Sequence, residues 1–231
     1  MAILLVDIGN TRIKWSLSSP LDPSNLPGKW SKSGSVIHRD LSFLNENWKR
    51  LAVTHVLISN VAGNHIREQF KVLLSKVFSS SVKTHWLVSL RKIATLRNGY
   101  NNPKQLGSDR FAAALGAQKI FPRQNILVAT CGTATTIDLV SADGVFSGGM
   151  ILPGLKLMAT SLARSTAQLP HITDYAKNRT IAPDNTRDAI ISGCINAQVG
   201  AIERAFLFYR NQTGEKFMHC ILTGGAVASI A

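Results

Sequence analysis

The sequence is short of acidic residues, of cysteine and of long apolar runs. It holds 13 Asp and Glu against 26 Lys and Arg, so its formal net charge is +13. No apolar stretch reaches the roughly 18 residues that a membrane-spanning helix needs. The chain is 231 residues long and 45% hydrophobic, which is enough to bury a substantial core. These features exclude a helical membrane span and a fully disordered chain.

The three cysteines are Cys131, Cys194 and Cys220. They are too widely separated for the paired ligands of a zinc motif, and their odd number leaves one thiol without a disulfide partner. The amino-terminal residues reach Asp7 without a basic leader, so we expect no secretory signal peptide. The cysteine pattern and the absence of a leader predict a reduced, cytoplasmic setting.

The positive charge is concentrated in the first half of the chain. Residues 1–115 hold 16 Lys and Arg against 6 Asp and Glu, whereas residues 116–231 hold 10 against 7. Such a balance is compatible with nucleic acid, an anionic membrane surface or phosphorylated small molecules as partners. The basic residues are scattered, and their longest runs are the pairs Lys49-Arg50 and Arg91-Lys92. This scatter disfavours nucleic-acid binding.

The amino-terminal segment predicts a β-hairpin whose first strand ends in a carboxylate. Ala2–Val6 is a short apolar run that Asp7 terminates, Gly9-Asn10 supplies turn residues, and Arg12–Leu17 alternates polar and apolar side chains. An ordinary hairpin turn with an incidental Asp is one interpretation of this segment.

The functional interpretation of the same hairpin is a phosphate site. Backbone N–H groups of the turn and the side chains of Asn10 and Thr11 can hold phosphate oxygens. Asp7 can bind Mg²⁺ directly or through water, and Arg12 and Lys14 add positive charge. The chain contains neither a P-loop motif nor a G-x-G-x-x-G motif, so both of those phosphate-binding folds are disfavoured.

A related pattern recurs about half a chain length later. Leu5–Thr11 and Val128–Ala134 each join an apolar strand to a glycine-containing turn with small hydroxyl residues. Two copies of one device predict a duplicated architecture of two lobes around a cleft, with residues 1–115 and 116–231 as the lobes. Gly132–Ala134 would then bind phosphate from the opposite lobe, unless it is only a bend between strands.

A further candidate site precedes a helix predicted over Phe111–Ile120. Ser108 can cap this helix, and the helix dipole favours Asp109 in the first turn whether or not it reacts. The functional alternative is that Asp109 accepts a proton from a substrate hydroxyl while Arg110 holds an anionic group.

Weaker signals lie elsewhere in the chain. Thr186 precedes a long predicted helix, where a threonine is commonly only an N-cap. The Gly224-Gly225 turn allows close approach of a flat ring or a phosphate. The histidines form no metal spacing and no triad, so we expect them to be structural or exposed; they are His38, His55, His65, His85, His171 and His219.

Five short motifs, taken together in this order, resemble the type III pantothenate kinases. That family belongs to the superfamily of acetate and sugar kinases, actin and the large heat-shock chaperones. The motifs are Asp7–Thr11, Gly107–Arg110, Gly132–Ala134, Gly148–Gly154 and Gly224–Ala226. The similarity extends over nearly the whole chain, and five ordered motifs are far more specific than any one of them.

The resemblance implies an α/β fold with two ribonuclease-H-like lobes, each a mixed five-stranded sheet with helices, and an ATP cleft between the lobes. It implies ATP-dependent phosphorylation of pantothenate to 4′-phosphopantothenate, the first step of coenzyme A biosynthesis. It also implies a homodimer with the pantothenate site near the interface.

The resemblance assigns roles to individual residues. Asp109 would be the general base that acts on the pantothenate hydroxyl. Thr133 and the Gly224-Gly225 turn would contact ATP. The ATP phosphates and Mg²⁺ would be held by Asp7, Ile8, Gly9, Asn10, Thr11, Arg12, Ile13 and Lys14. Pantothenate would be contacted by Tyr100, Gly107, Ser108, Asp109, Arg110 and Thr186.

Two features depart from the family pattern. Many members carry an Asp that binds a monovalent cation such as K⁺ or NH₄⁺ at the position of Thr130, so we do not expect a K⁺ requirement here. Family members continue through another helix and strand after the position of Gly225, so we expect the second lobe to lack its final elements. The alternative functions are a non-catalytic regulatory or transcription accessory protein on the same fold, and a kinase of another small hydroxyl compound.

Overall fold

A computed structural model describes residues 2–18, 30–172, 175, 180–214 and 217–231. The chain divides into two compact units, each built on its own mixed β-sheet. The first unit comprises Met1–Leu90 and Asn102–Ala112, and the second comprises Arg91–Asn101 and Ala113–Ala231. This division differs from a single boundary at residue 115, because the segment Arg91–Asn101 groups with the second unit.

The first unit contains a five-stranded sheet. Its strands are β1 (Ala2–Ile8), β2 (Arg12–Ser18), β3 (Lys32–Ile37), β4 (Val53–Asn60) and β5 (Lys83–Trp86). The order across the sheet is β3-β2-β1-β4-β5, in which β1, β2 and β3 are antiparallel neighbours while β4 and β5 run parallel to β1. Its helices are α1 (Ser42–Trp48) and α2 (Gly63–Val77), and a short 3₁₀ turn covers His38–Asp40.

Alternating side chains explain why the first hairpin forms. Val6 and Ile8 of β1 and Ile13 of β2 are buried in one apolar core, with Trp48 and Phe70 supplied by the two helices. Since successive residues of a strand point to opposite faces, Asp7 and Lys14 project from the other face of the sheet. The predicted hairpin is therefore confirmed, with Asp7 and Lys14 on the face opposite the apolar core.

Helix α3 (Ser108–Ile120) begins in the first unit and continues in the second. The remaining strands are β6 (Lys92–Ile93), β7 (Leu96–Asn98), β8 (Ile126–Cys131), β9 (Ala134–Val140), β10 (Val145–Pro153) and β11 (His219–Thr223). The remaining helices are α4 (Leu155–Ser165), α5 (Thr186–Thr213) and α6 (Val227–Ile230). The strand order in this sheet is β11-β8-β9-β10-β7-β6.

The two sheets repeat one arrangement. In the second, β8, β9 and β10 are antiparallel neighbours and β11 runs parallel to β8, as β4 does beside β1. Among the described residues the second sheet has six strands where five were expected. The difference arises because the short β6 and β7 pair with each other and extend the sheet beyond β10.

The second unit is held together by α5 packing on the sheet and on α4. Leu127 and Ile137 of the sheet pack against Ile202 of α5, while Leu155 of α4 packs against Ile190. All three cysteines are free thiols, and two of them lie in these cores. Within the described ranges, no helix combines the length and apolar character needed to cross a membrane.

Candidate functional site

One row of side chains crosses the first sheet at the carboxyl end of β1. Asp7 pairs in register with Lys14 of β2 and with Ser59 of β4. Residues paired in register point to the same face of a sheet, so these three side chains share the face opposite the apolar core. A carboxylate, an ammonium group and a hydroxyl group are thus neighbours.

One carboxylate oxygen of Asp7 accepts no hydrogen bond from the described residues. Its Oδ1 is buried and makes no hydrogen bond within the described residues. Burial raises the pKa of Asp7, the positive charge of Lys14 acts against this, and the negative charge of Asp109 raises the pKa further. A buried, unsatisfied carboxylate oxygen is costly unless a cation or a donor meets it. The observation therefore fits Mg²⁺ binding at Asp7.

Few protein groups could bind a metal ion together with Asp7. No group of three or more His, Cys, Asp or Glu side chains suited to a metal occurs in the parts of the chain that the structure describes. Mg²⁺ is commonly bound by one or two carboxylates, with substrate phosphates and waters completing its shell. A single Asp7 carboxylate agrees with a metal that arrives with a nucleotide.

The turn between β1 and β2 is closed by backbone and side-chain hydrogen bonds. The N–H of Gly9 donates to the carbonyl oxygen of Arg12 at 3.1 Å. Nε2 of His38, in the 3₁₀ turn after β3, donates to the carbonyl oxygen of Gly9 at 2.8 Å. Asn10 and Thr11 are exposed at the tip. The carbonyl of Gly9 thus points toward His38.

The predicted phosphate-binding residues are not equally accessible. Arg12 and Lys14 are exposed, as are the tip residues. Ile8 and Ile13 are fully buried in the apolar core. These two isoleucines therefore anchor the hairpin in the core, and neither exposes atoms to solvent.

Asp109 lies in the first turn of α3, within the first unit. Its Oδ1 accepts a hydrogen bond from the backbone N–H of Arg110 at 2.8 Å. A Cβ atom added at Gly107 would lie 2.6 Å from the same oxygen. The carboxylate therefore folds back over position 107, and the absence of a side chain there gives it room.

A buried hydrogen bond connects β4 to the start of α3. The hydroxyl oxygens of Ser59 and Ser108 are 3.0 Å apart, and both residues are 8% exposed. Ser108 was predicted to be an N-cap, but it is the first helical residue and its hydroxyl bonds to Ser59 instead. Because Ser59 also sits beside Asp7 in register, this bond joins the strand row to the segment that carries Asp109.

Ser59 was not among the predicted site residues. Nothing in its local pattern distinguishes it from other serines near strand ends. Only the parallel pairing of β1 with β4 places it beside Asp7. Arg110, in contrast, was singled out, and it is 7% exposed with bonded partners, so it is not a free surface cation.

In the second unit, the Gly132-Thr133 turn is braced by the end of β10. The backbone N–H of Gly154 donates to the carbonyl oxygen of Thr133 at 3.0 Å. A Cβ atom at Gly154 would collide with the carbonyl oxygen of Gly132. Nε2 of the buried Gln198 donates to the carbonyl oxygen of Pro153 at 2.5 Å, which ties α5 to this brace. Thr133 itself is exposed.

The two glycines of the second predicted nucleotide turn have different structural roles. Gly224 has a φ of +102°, and a Cβ atom there would collide with the backbone of Cys131. Gly225 has no atom within 4 Å of the position that a Cβ would take. Only Gly224 is therefore required by the backbone.

Tyr100 lies on a loop that Arg91 holds. The guanidinium of Arg91 donates to the carbonyl oxygens of Tyr100 at 2.9 Å and Asn101 at 3.2 Å. The ring of Tyr100 meets that of Phe146 edge to face, with their centroids 5.8 Å apart. These contacts orient Tyr100 within the second unit.

Thr186 is the first residue of α5, but it does not cap the helix. The side chain of Asn185 does so, accepting from the backbone N–H of Asp188 at 3.0 Å. The N-cap interpretation of Thr186 is therefore wrong. Thr186 instead lines an apolar groove of about 830 Å³ shared with residues of α4 and α5, among them Leu157 and Cys194.

Thr130 occupies, in the second unit, the place that Asp7 holds in the first. It pairs in register with Thr136 of β9 and Thr223 of β11. Its Oγ1 is buried without a hydrogen-bond partner in the described residues, and Thr136 donates to Asp138 at 3.1 Å. Thr130 thus presents an uncharged hydroxyl group beside Thr136, which is itself bonded to the Asp138 carboxylate.

The predicted residues thus fall into two sets. Those in the first unit are the Asp7–Lys14 hairpin and Gly107–Arg110. Those in the second unit are Tyr100, Thr130, Thr133, Thr186, Gly224 and Gly225.

Comparison with sequence relatives identifies the family. A family profile described as type III pantothenate kinase matches residues 3–207. The type III pantothenate kinase of Herminiimonas arsenicoxydans is 47% identical over 229 residues, which cover 99% of this chain and 88% of the relative. That of Janthinobacterium sp. (strain Marseille) is 47% identical over 230 residues with the same coverage.

Solved structures share the fold at low identity. A Campylobacter jejuni protein described as a Baf family transcriptional activator is 21% identical, covers 99% of this chain and 86% of its own, and has a TM-score of 0.57. The ethanolamine utilization protein EutJ of Carboxydothermus hydrogenoformans is 12% identical, with coverages of 98% and 77% and a TM-score of 0.56. These similarities concern the fold alone, which is a mixed α/β fold with two sheets.

The family match to the type III pantothenate kinases agrees with the order of the motifs in the sequence. It also agrees with the two similar sheets and with the positions of Asp7 and Asp109. The profile covers most of the chain, and the two relatives match it over almost its full length. The chain belongs to the type III pantothenate kinase family.

Proposed function

We propose that this chain transfers the γ-phosphoryl group of ATP to the primary hydroxyl of pantothenate, forming 4′-phosphopantothenate and ADP as the first step of coenzyme A biosynthesis. One observation carries the proposal beyond family membership. Asp7, with an unsatisfied buried oxygen, and Asp109, at the start of α3, lie in one unit and interact electrostatically. Phosphoryl transfer to an alcohol needs a metal ligand and a base, and these carboxylates supply both.

The first hairpin holds the phosphate end of ATP. Asp7 would hold the Mg²⁺ that accompanies the nucleotide, directly or through water, and the ion would supply positive charge against the phosphates. Lys14 lies next to Asp7 in register and adds a positive charge on the same face. The backbone N–H groups of the exposed turn at Asn10 and Thr11 donate to phosphate oxygens.

Asp109 takes the proton from the pantothenate hydroxyl. The N–H of Arg110 occupies its Oδ1, which leaves Oδ2 to accept the substrate proton. A base held in place by a backbone donor needs little reorganisation when the substrate binds. General-base assistance of this kind contributes roughly 10²- to 10⁴-fold to a rate.

The other predicted ligand contacts belong to residues of the second unit. Thr133 and the Gly224-Gly225 turn contact the nucleotide, and both turns are built on tight backbone approaches. Tyr100, oriented by Arg91, and Thr186, at the apolar groove, contact pantothenate.

The active protein is a homodimer that needs Mg²⁺. The chain acts as a homodimer in the cytoplasm, so light scattering of the purified protein should give twice the mass of the chain. Mg²⁺ is required, whereas K⁺ is not, because Thr130 offers a hydroxyl group in place of a carboxylate. Initial rates should therefore be alike in potassium and in sodium buffers.

A coupled assay of ADP release tests the proposal. Purified chain with ATP and Mg²⁺ should release ADP when pantothenate is added, and a panel of sugars should give no release. The exposed Glu68 on α2 offers a control, since Glu68→Gln should leave the rate unchanged. A folded sample without pantothenate-dependent release would contradict the proposal, and release with a sugar alone would indicate another acceptor.

A further inference from the structure

His38 makes a specific contact with the turn of the predicted phosphate site. It belongs to the 3₁₀ turn after β3, 29 positions from Gly9 in the sequence, yet its Nε2 lies 2.8 Å from the carbonyl oxygen of Gly9. A carbonyl oxygen can only accept, so Nε2 carries the hydrogen and donates it.

The contact controls the direction of a peptide unit. In a trans peptide the C=O of one residue and the N–H of the next point in opposite directions. A hydrogen bond from His38 to the carbonyl of Gly9 therefore aims the N–H of Asn10 away from the imidazole. Asn10 is exposed at the tip of the hairpin, where this N–H can meet a phosphate oxygen.

Among the described residues, the imidazole of His38 makes its hydrogen bond through Nε2 and not through Nδ1. Its Nδ1 is buried and makes no hydrogen bond in the described parts of the chain. The backbone of the turn is also tight, because a Cβ atom at Gly9 would lie 3.3 Å from the carbonyl oxygen of Arg12. The ring therefore holds the Gly9-Asn10 peptide, while the hydrogen bond to Arg12 holds the preceding Ile8-Gly9 peptide, so both peptides that flank Gly9 are fixed.

We propose that His38 is a positioning residue that orients the Gly9-Asn10 peptide for the phosphates of a nucleoside triphosphate. The inference rests on the proposed function in that it takes the hairpin to be the phosphate site. It adds a residue that no motif indicates and assigns it an effect on nucleotide affinity.

Binding of a non-hydrolysable MgATP analogue, measured by calorimetry, tests the proposal without requiring turnover. His38→Leu removes the donor at similar size and should weaken binding about two- to tenfold, the effect of one hydrogen bond. His38→Gln keeps an N–H donor at similar reach and should bind within twofold of the wild type. His65→Leu is the matched control, because His65 is exposed on α2 and bonds only within that helix, to Gln69.

The kinetic signature separates positioning from general damage. In the ADP assay, His38→Leu should raise the KM for ATP and leave the KM for pantothenate unchanged. Equal analogue affinity in His38→Leu and the wild type would overturn the inference. So would a loss of affinity that His38→Gln does not restore although both variants melt at the wild-type temperature. A wild-type chain that binds the analogue but phosphorylates nothing would contradict the proposed function. The binding comparison between His38→Leu and the wild type would still test the role of His38.

Discussion

Asp7 and Asp109 interact within the first unit, and the negative charge of Asp109 raises the pKa of Asp7. Asp7 lies at the carboxyl end of β1, whereas Asp109 lies in the first turn of α3, about a hundred residues later. Two carboxylates with different proposed tasks thus share one electrostatic environment. Altering either one should affect the other.

Replacing Asp109 should separate chemistry from nucleotide binding. We expect Asp109→Asn to lower kcat by roughly 10²- to 10⁴-fold, because an amide cannot accept the proton of the substrate hydroxyl. MgATP affinity should be retained, since the substitution removes a negative charge and leaves Asp7 in place. Initial rates and calorimetry measure the two effects, with Glu68→Gln as the exposed control. Near-normal turnover in Asp109→Asn would mean that another group is the base.

The raised pKa of Asp7 predicts a pH-dependent stability difference. A carboxyl group with a higher pKa in the folded than in the unfolded chain favours folding in its protonated form, and this contribution is lost as pH rises through the folded pKa. Burial has the largest effect and raises the pKa of Asp7. The positive charge of Lys14 lowers it and the negative charge of Asp109 raises it, and the net shift is upward. Asp7→Asn should therefore melt above the wild type at neutral pH, without ligand.

Melting temperatures across an acid-to-neutral series test the sign. The gap between Asp7→Asn and the wild type should widen as pH rises from below the ordinary Asp value of about 3.9 toward neutrality. MgATP should stabilise the wild type and not Asp7→Asn. A gap that stays constant with pH would show that Asp7 exerts no titration-linked effect.

Gly107 should limit the position of the Asp109 carboxylate. Gly107→Ala introduces a Cβ atom at 2.6 Å from Oδ1 of Asp109, so the carboxylate must move. A displacement near 1 Å at a reacting group can cost about 100-fold in rate. Gly116→Ala is the matched control. Gly116 lies on α3, as Asp109 does, and its added Cβ would meet no atom within 4 Å beyond its own turn of helix. Equal kcat values for the two alanine variants would contradict this role.

The adjacent glycines of the carboxyl-terminal turn should differ sharply in their effect on stability. Gly224→Ala forces a left-handed backbone on alanine and a collision with Cys131, so we expect a loss of about 2–4 kcal/mol. Gly225→Ala meets no atom within 4 Å and should change stability by no more than about 0.5 kcal/mol. Denaturant unfolding compares them, and equal losses would show that the collision is relieved.

The buried bond between Ser59 and Ser108 should appear as a coupling energy. In a double-mutant cycle of Ser59→Ala and Ser108→Ala, the two losses of unfolding free energy should be non-additive by about 1 kcal/mol. The reason is that the second substitution removes a hydroxyl that has already lost its partner. Additive losses would indicate that the hydroxyl groups act independently.

Local patterns predicted the elements that carry the proposed chemistry. The alternation of Arg12–Leu17 and the Gly9-Asn10 turn predicted the first hairpin, and the structure confirms it. The helix predicted from Phe111 exists, although it begins at Ser108. The strand count of the second sheet could not be predicted, because β6 and β7 are too short to have a periodic signal.

The sequence by itself determined the family and the two proposed carboxylates, because motif order and strand endings are properties of the linear chain. Only the tertiary structure decided which residues lie beside Asp7 and which hold the neighbouring turn. Ser59 reaches Asp7 through parallel strand pairing, and His38 reaches Gly9 across 29 positions. Long-range contacts of this kind depend on register and packing, which leave no local pattern in the sequence.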